Sequence, residues 1–206
     1  MTRLVLATGN RGKIREIAAI LADLDVEVVA QGELGVVPVE ETGTTFEANA
    51  LLKARHAAAV TGGPALADDS GLEVDALGGA PGVYSARYAG ESATDEDNNA
   101  RLLAELAGLA APRTARYRCV LAFVRHADDP EPLVASGSWE GAIATEPRGS
   151  AGFGYDPLFL VAGDPAGRTA ALLDPPEKNR VSHRARALAA LREGLGRLLA
   201  AARGPG

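Results

Sequence analysis

Short apolar runs alternate with amphipathic stretches along this chain, and the alternation predicts where strands and helices lie. Residues 3–7 form a short, mostly apolar run that predicts a first strand, and residues 13–24 repeat apolar positions at helical spacing. Residues 26–30 predict a second strand beside the first. The connection at 8–13 contains two glycines, and a glycine-containing loop that opens a helix can bind phosphate through backbone N–H groups. A strand–turn–helix corner without a ligand explains this stretch equally well.

The same periodicity predicts elements further along the chain. Helices are expected at about 44–60 and 94–106, and a final helix is expected to end near residue 202. A central strand is expected at 116–125, with its partner strand at 133–138 after a polar turn that contains proline.

Polar residues at the start of the second predicted helix have an informative spacing. Thr44, with Glu47 three residues later, has the pattern of a capping box. Asn49 and Lys53 are four residues apart, so they are expected to share one helical face. The paired acids at 40–41 either complement the helix dipole or serve a metal ion.

Two adjacent carboxylates follow the apolar residues 65–67. We expect a buried strand to end at Asp68 and Asp69, and Ser70 and Gly71 to turn the chain. Since successive strand residues point to opposite faces, the two carboxylates should perform different tasks. Grouped carboxylates suit a hard cation such as Mg²⁺, and one of them can activate a water molecule. An ordinary Asx-type turn is the competing interpretation.

Further candidate chemistry lies near the end of the chain. Residues 152–156 place two aromatic side chains in a glycine-flanked loop, which indicates either a surface for base stacking or aromatic packing at a turn. Ser182 is a candidate N-cap for the final helix, and His183 and Arg184 follow in its first turn. Cations at a helix N-terminus oppose its dipole, so a bound anion or ligand explains them better than helix stability does.

Charge and composition exclude several function classes. The net charge of −6 and a pI near 5.2 argue against non-specific binding to nucleic acid or to a membrane surface. No apolar stretch is long enough to span a bilayer, and the first residues lack the pattern of a signal peptide. Cys119, the single cysteine, is expected to be buried. We therefore expect a cytoplasmic protein.

The cations are strongly biased, with eighteen arginines and only three lysines. A compact ammonium group contacts phosphate as a point charge, a task for which guanidinium is not a substitute. Lys13, Lys53 and Lys178 are therefore candidate phosphate ligands, unless they remain by chance on solvated helix faces.

The motifs, taken in order, resemble the noncanonical purine NTP pyrophosphatase family, also called inosine triphosphate pyrophosphatases. The resemblance covers nearly the whole chain, and no motif position departs from it. It depends on these segments: TGNRGK at 8–13, EETG at 40–43 with residues 45–46 and 49–53, DDSG at 68–71, GGAPGVYSARY at 78–88, GFGYD at 152–156, EKN at 177–179 and SHR at 182–184. All three lysines fall inside these motifs.

The resemblance implies a fold, an activity and a set of site residues. The fold is α/β, a long twisted mixed sheet flanked by helices, with an active cleft between two lobes. The length of 206 residues itself predicts a single domain, at 1–203, and Gly204, Pro205 and Gly206 are expected to form a disordered tail. The activity is Mg²⁺-dependent hydrolysis of ITP, dITP and XTP to monophosphate and pyrophosphate by a homodimer. By the same resemblance, the metal is bound by Glu41 and Asp69, Asp69 is also the general base with Asp68 beside it, and Ser70 contacts the substrate. The triphosphate is held by Thr8, Gly9, Asn10, Arg11, Gly12, Lys13 and Lys53. The nucleoside is surrounded by Phe153, Gly154, Tyr155, Asp156, Lys178, His183 and Arg184.

Other function classes stay open. A nucleotide sensor without catalysis would not need the acids beside a phosphate loop, and a nucleic-acid-binding module conflicts with the net charge. A pyrophosphatase for modified pyrimidine nucleotides is a related enzyme alternative. A hydrolase using Ser70 and His183 is disfavoured because the chain has no G-x-S-x-G motif.

Overall fold

The computed structural model describes residues 2–24, 26–110 and 112–201. Within them, six strands form one mixed sheet with the order β2-β1-β3-β4-β5-β6. The strands are β1 (Thr2–Leu6), β2 (Val26–Ala30), β3 (Ala65–Val74), β4 (Thr114–Val124), β5 (Leu133–Ile143) and β6 (Phe159–Val161). The helices are α1 (Arg11–Leu21), α2 (Phe46–Thr61), α3 (Asp95–Glu105), α4 (Pro175–Val181) and α5 (His183–Ala201). The predicted mixed sheet with flanking helices is confirmed.

The chain divides into two compact units. Unit 1 comprises residues 1–69, 119–137 and 184–206, and unit 2 comprises 70–118 and 138–183. The predictions of a single domain at 1–203 and of a cleft between two lobes stay predictions, and the predicted tail at 204–206 lies outside the described residues. No described helix is long and apolar enough to cross a membrane.

The core of unit 1 is mostly aliphatic. Apolar residues of α1 and α5 recur at helical spacing and pack against the buried residues of β1, β3 and β4. Its main members are Leu4, Leu6, Ile17, Leu21, Leu66, Leu121, Phe123, Leu188, Leu191 and Leu195. Strand β1 pairs in parallel with both β2 and β3, and Leu6 lies opposite Leu66. This register brings the loop after β1 beside the part of β3 that contains the two carboxylates.

The core of unit 2 is rich in aromatic rings. Leucines of α3 pack with the larger side chains of β4, β5 and β6. Its main members are Leu72, Val74, Leu102, Leu106, Tyr117, Trp139, Tyr155, Leu158 and Phe159. Gly141 allows this packing, because a Cβ there would lie 2.3 Å from the carbonyl oxygen of Leu160.

The prediction that β3 ends at its carboxylates is wrong. The strand runs through Ser70 and Gly71 to Val74. The sequence DDSG is typical of a turn because its polar side chains normally need solvent. Here both carboxylates have cationic partners from other elements, so the strand continues while it carries them.

Two details at helix ends also differ from expectation. Thr45, not Thr44, is the N-cap of α2, and its hydroxyl accepts the N–H of Ala48 at 3.1 Å. Helix α4 was not predicted, since its seven residues are too few for a periodic pattern and begin with two prolines. Asp174 caps it, accepting the N–H of Glu177 at 2.7 Å.

Candidate active site

The predicted phosphate loop is shorter than expected because α1 begins at Arg11 rather than near residue 13. The Asn10 side chain caps the helix by accepting the N–H groups of Gly12 at 2.8 Å and Lys13 at 3.1 Å. Asn10 in turn donates its own N–H to the Thr8 hydroxyl at 3.2 Å. Residues 11–13 therefore form the first helical turn, and this turn presents Lys13.

Asp68 is the centre of a buried ionic cluster in unit 1. Its side chain is fully buried, and it forms ion pairs with Lys13 at 2.5 Å and with Arg184 at 2.9 Å. The Cys119 thiol donates to the same carboxylate at 3.1 Å. Burial raises the pKa of Asp68, but the charges of Arg184 and Lys13 outweigh burial and hold that pKa well below its usual range. Asp68 therefore remains ionised and orders the cations around it.

Arg184 was predicted to contact the nucleoside. The structure places its guanidinium, which is 1% exposed, on Asp68 and on Glu16 of α1. Burial lowers the pKa of Arg184, but the two carboxylates outweigh burial and raise it above its usual value. Contact with a nucleobase stays a prediction for this residue.

Asp69 belongs to a second cluster. The Lys53 ammonium group donates to Asp69 at 2.6 Å and to Glu41 at 2.7 Å, so one cation links two carboxylates. Burial raises the pKa of Asp69 more than Lys53 lowers it, and the pKa of this carboxyl lies above its usual value. Asp68 and Asp69 thus pair with different cations, and the expectation that they perform different tasks stays a prediction.

A metal ion fits the second cluster. The Oδ2 atom of Asp69 is buried and accepts no hydrogen bond from the described part of the chain. Lys53 already shows that Glu41 and Asp69 together accept a cation. The described residues hold no group of three or more His, Cys, Asp or Glu side chains that could bind a metal. Mg²⁺ commonly uses one or two carboxylates and takes its other ligands from water and substrate phosphates, which matches this donor set.

A third cluster lies in unit 2, in the glycine-flanked loop and α4. Asp156 forms an ion pair with Lys178 at 2.6 Å and accepts the N–H of Phe153 at 3.0 Å. The Lys178 ammonium lies 4.8 Å from the centre of the Phe153 ring. Gly152 has φ +82°, and a Cβ there would lie 2.0 Å from Asp156 Oδ2. The loop therefore depends on glycine at this position to hold the carboxylate against Lys178.

The aromatic ring of Tyr155 does not form a surface for stacking. It is buried in the core of unit 2, and its hydroxyl donates to the carbonyl oxygen of Ser85 at 2.8 Å. Gly154 next to it is held by α3, since its N–H donates to Asp95 at 2.6 Å and its carbonyl accepts from Asn99 at 2.9 Å. Of the two aromatic residues predicted for stacking, Phe153 is the one that lies beside Lys178.

Two residues around His183 were missed from the sequence. The Tyr117 ring is stacked on the imidazole, with centroids 4.7 Å apart and an interplanar angle of 14°. Trp139 lies near parallel to the same imidazole at 6.4 Å. The Tyr117 hydroxyl also donates to Asp156 at 3.2 Å. Both aromatics read as ordinary strand residues in the sequence, and no local signal distinguishes them from core.

A family model supplies the deciding comparison. The model of the Ham1 family matches residues 4–194, nearly the whole of the described structure. This chain belongs to the Ham1 family. Ham1 structures resemble it closely: a HAM1 protein from Coxiella burnetii is 50% identical with a TM-score of 0.85, covering 97% of this chain and 99% of that one. A Ham1 protein from Staphylococcus aureus is 41% identical with a TM-score of 0.82, over 94% and 98% of the two chains.

Curated relatives of this Ham1 chain carry a functional name. A protein of Shigella flexneri called dITP/XTP pyrophosphatase is 58% identical over 196 residues, which is 95% of this chain and 98% of that protein. A protein of the same name from Xanthomonas campestris pv. campestris (strain 8004) is 60% identical over 197 residues, with the same shares of each chain. The family resemblance predicted from the motifs is confirmed.

Proposed function

We propose that this Ham1-family chain is a nucleoside triphosphate pyrophosphatase that hydrolyses dITP, ITP and XTP to the monophosphate and pyrophosphate. The observation that carries the proposal is the pairing of Lys13 with Asp68 and of Lys53 with Asp69 and Glu41. Together they concentrate two ammonium groups and three carboxylates in unit 1. The high identity to relatives named dITP/XTP pyrophosphatase supports the choice of substrate.

The lysines bind the triphosphate in this proposal. A nucleoside triphosphate carries about four negative charges, and cleavage moves more charge onto the leaving pyrophosphate. Lys13 and Lys53, together with the N-terminus of α1, neutralise that charge where it develops. Each lysine is already held by a carboxylate, so its ammonium group is oriented before substrate arrives.

Glu41 and Asp69 would hold Mg²⁺, which when bound supplies positive charge to the phosphate oxygens. Asp69 has a second task, because its buried Oδ2 has no donor within the described residues. That oxygen can accept a hydrogen bond from the attacking water and orient it. Because a bound cation lowers the pKa of a carboxyl group, orienting the water matters more in this proposal than taking its proton.

Asp68 supports the reaction without contacting the water. Its lowered pKa keeps it charged, and its two cations hold it in one position. We propose that it orients Lys13 towards the triphosphate, with Ser70 contacting substrate from the same strand.

The cluster of unit 2 would recognise the nucleoside. Phe153 offers a ring for stacking, which contributes about 1–3 kcal/mol per base. Lys178 and His183 supply donors for a 6-keto oxygen, the group that distinguishes hypoxanthine and xanthine from adenine. Adenine presents an amino donor there and would leave a buried donor without a partner, a mismatch that discriminates strongly. Gly154, Tyr155 and Asp156 shape this part of the site, and Arg184 is also proposed to contact the base.

We propose in addition that the protein is a cytoplasmic homodimer that binds neither nucleic acid nor membranes. Its net charge of −6 disfavours polyanionic partners.

A product screen tests the proposed function. ITP, dITP, XTP, ATP and GTP are incubated with the protein and Mg²⁺, and the products are separated by anion-exchange chromatography. We expect the monophosphate and pyrophosphate from the first three substrates at rates well above those for ATP and GTP. Release of orthophosphate and a diphosphate, or tight ITP binding without turnover, would contradict the proposal.

A further inference from the structure

Asn49 is a fully buried polar residue on α2 that belongs to none of the three clusters. Its Oδ1 accepts the backbone N–H of Gly43 at 2.8 Å. This contact decides which way the carboxamide faces, because only its oxygen can accept that proton. A Cβ on Gly43 would lie 2.5 Å from the same oxygen, so the glycine is what allows the close approach.

The other half of the carboxamide is unusual for a buried group. Asn49 Nδ2 is buried and finds no acceptor within residues 2–24, 26–110 and 112–201. Most buried polar side-chain atoms in proteins are hydrogen-bonded, and an apolar side chain would fill this position without leaving a donor unsatisfied. We therefore infer that the hydrogen bond to Gly43 has a function that compensates for the cost of the unpaired Nδ2 donor.

The loop at 40–43, which precedes α2, indicates what this function is. Glu41 is two residues before Gly43, and its carboxylate accepts from Lys53, one helical turn after Asn49. Two residues on one helical face thus hold the same short loop, one by its backbone and the other by its acidic side chain. The backbone contact of Asn49 therefore adds to the bond between Lys53 and the Glu41 side chain and to the cap at Thr45.

We propose that Asn49 is a positioning residue that holds the loop at 40–43 so that the Glu41 carboxylate is placed for a divalent cation. The inference rests on the proposed role of Glu41 as a metal ligand. Residues that orient metal ligands through hydrogen bonds change metal affinity or activity by about 10–100-fold when they are replaced.

The test measures cation binding directly. Mn²⁺ is titrated into the protein with the α,β-imido analogue of ITP, and free Mn²⁺ is followed by electron paramagnetic resonance. Asn49→Ala removes the acceptor, and Gly43→Ala displaces it without removing any side-chain atom. The dependence of ITP turnover on Mg²⁺ concentration gives a second measurement.

Asn98 provides a matched control. It is nearly as buried as Asn49, it lies on helix α3, and its Oδ1 accepts the N–H of Ala89 at 2.7 Å. Asn98→Ala removes the same kind of contact in unit 2. Circular dichroism and thermal unfolding report how much stability each variant loses.

We expect Asn49→Ala and Gly43→Ala to weaken Mn²⁺ binding about tenfold, with a parallel rise in the Mg²⁺ concentration needed for half-maximal turnover. Asn98→Ala should bind Mn²⁺ like the wild type. Equal weakening in all three variants, or wild-type binding in Asn49→Ala, would overturn the inference. If Asn49→Ala does not fold, Gly43→Ala decides in its place.

Glu41→Gln separates this inference from the proposed function. A variant that binds Mn²⁺ as tightly as the wild type would refute the metal role of Glu41, and with it the inference. Weakened binding in Glu41→Gln together with normal binding in Asn49→Ala would refute the inference alone.

Discussion

Asp68 and Asp69 are neighbours on β3, yet their carboxylates pair with lysines from two different helices, Lys13 at 2.5 Å and Lys53 at 2.6 Å. Strand geometry sends the two side chains to opposite faces, and each face meets a different helix. The result is two adjacent carboxylates with pKa values shifted in opposite directions. This divergence suits Asp68 to hold a charge and, in the metal-free protein, suits Asp69 to exchange a proton.

Asp69→Asn should fold normally and lose most turnover. The amide keeps the shape of the side chain but cannot accept a proton, and loss of a general base costs about 10²–10⁴-fold in rate. Because burial makes the ionised Asp69 unfavourable and Lys53 also pairs with Glu41, its replacement should lower the melting temperature at pH 7 less than Asp68→Asn does. Steady-state kcat with ITP and Mg²⁺ checks the first point and calorimetry the second. A kcat near that of the wild type would remove Asp69 from the mechanism.

Asp68→Asn should be a stability variant as well as an activity variant. Replacing this carboxylate removes the ion pair that the guanidinium of Arg184, which is 1% exposed, forms with Asp68. Breaking a buried ion pair by removing one partner typically costs about 3–5 kcal/mol. Urea unfolding at pH 7 measures the loss. Exposed ion pairs contribute up to about 1 kcal/mol. A free energy of unfolding within about 1 kcal/mol of the wild-type value would therefore contradict the buried pairing.

The loss of unfolding free energy in Asp68→Asn should depend on pH, and its direction can be predicted. The pKa of Asp68 is lower in the folded state than the ordinary value of 3.8, so its ionisation favours folding. Its contribution is complete above pH 3.8 and disappears as the pH falls towards the folded pKa. The difference in unfolding free energy between wild type and variant should therefore be constant from pH 7 to pH 5 and shrink below about pH 4. If the difference in unfolding free energy grew on acidification, the pKa of Asp68 would be raised in the folded state rather than lowered.

The two carboxyls should titrate on opposite sides of 3.8 in the metal-free protein. Carbon-13 NMR of selectively labelled aspartate follows each group, with the Asp68→Asn and Asp69→Asn variants providing assignments. We expect the inflection of Asp69 above 3.8 and that of Asp68 below it, because burial dominates at one site and cations at the other. Inflections in the reverse order would show that the cations are distributed differently.

Gly152→Ala should damage nucleoside recognition. Its Cβ would lie 2.0 Å from Asp156 Oδ2, so the carboxylate must leave its place beside Lys178. We expect KM for ITP to rise about tenfold, which corresponds to about 1.4 kcal/mol. The preference for ITP over ATP should also narrow. Gly163→Ala is the control, since φ is also positive there but nothing lies within 4 Å of the added Cβ. An equal rise in KM in both variants would attribute the effect to backbone strain.

The local structure follows from the sequence to a large extent. Apolar periodicity located α3 and β4 closely, because a helix or strand with one buried face must repeat apolar residues at its own period. The i, i+4 spacing of Asn49 and Lys53 correctly predicted one shared face. The motifs together indicated the family.

Local signals failed where a partner distant in sequence decides the outcome. The prediction of a turn at DDSG was wrong because Lys53 and Arg184 stabilise charges within the strand, and neither is near β3 in sequence. Tyr117 and Trp139 have the same alternating pattern whether they pack in a core or against His183. Asn49 was recognised as a helical residue, but nothing near it indicated that it binds the backbone of Gly43.

The sequence by itself determined the periodic elements, the family motifs and the opposite orientation of Asp68 and Asp69, because these depend on neighbours a few residues apart. The tertiary structure decided which cation faces each carboxylate, the direction in which each pKa shifts, and the side chains that hold Gly43 and His183 in place. Burial and charge act through space, so their balance at a residue depends on side chains that are distant in sequence. Arg184, for example, is 116 positions from Asp68.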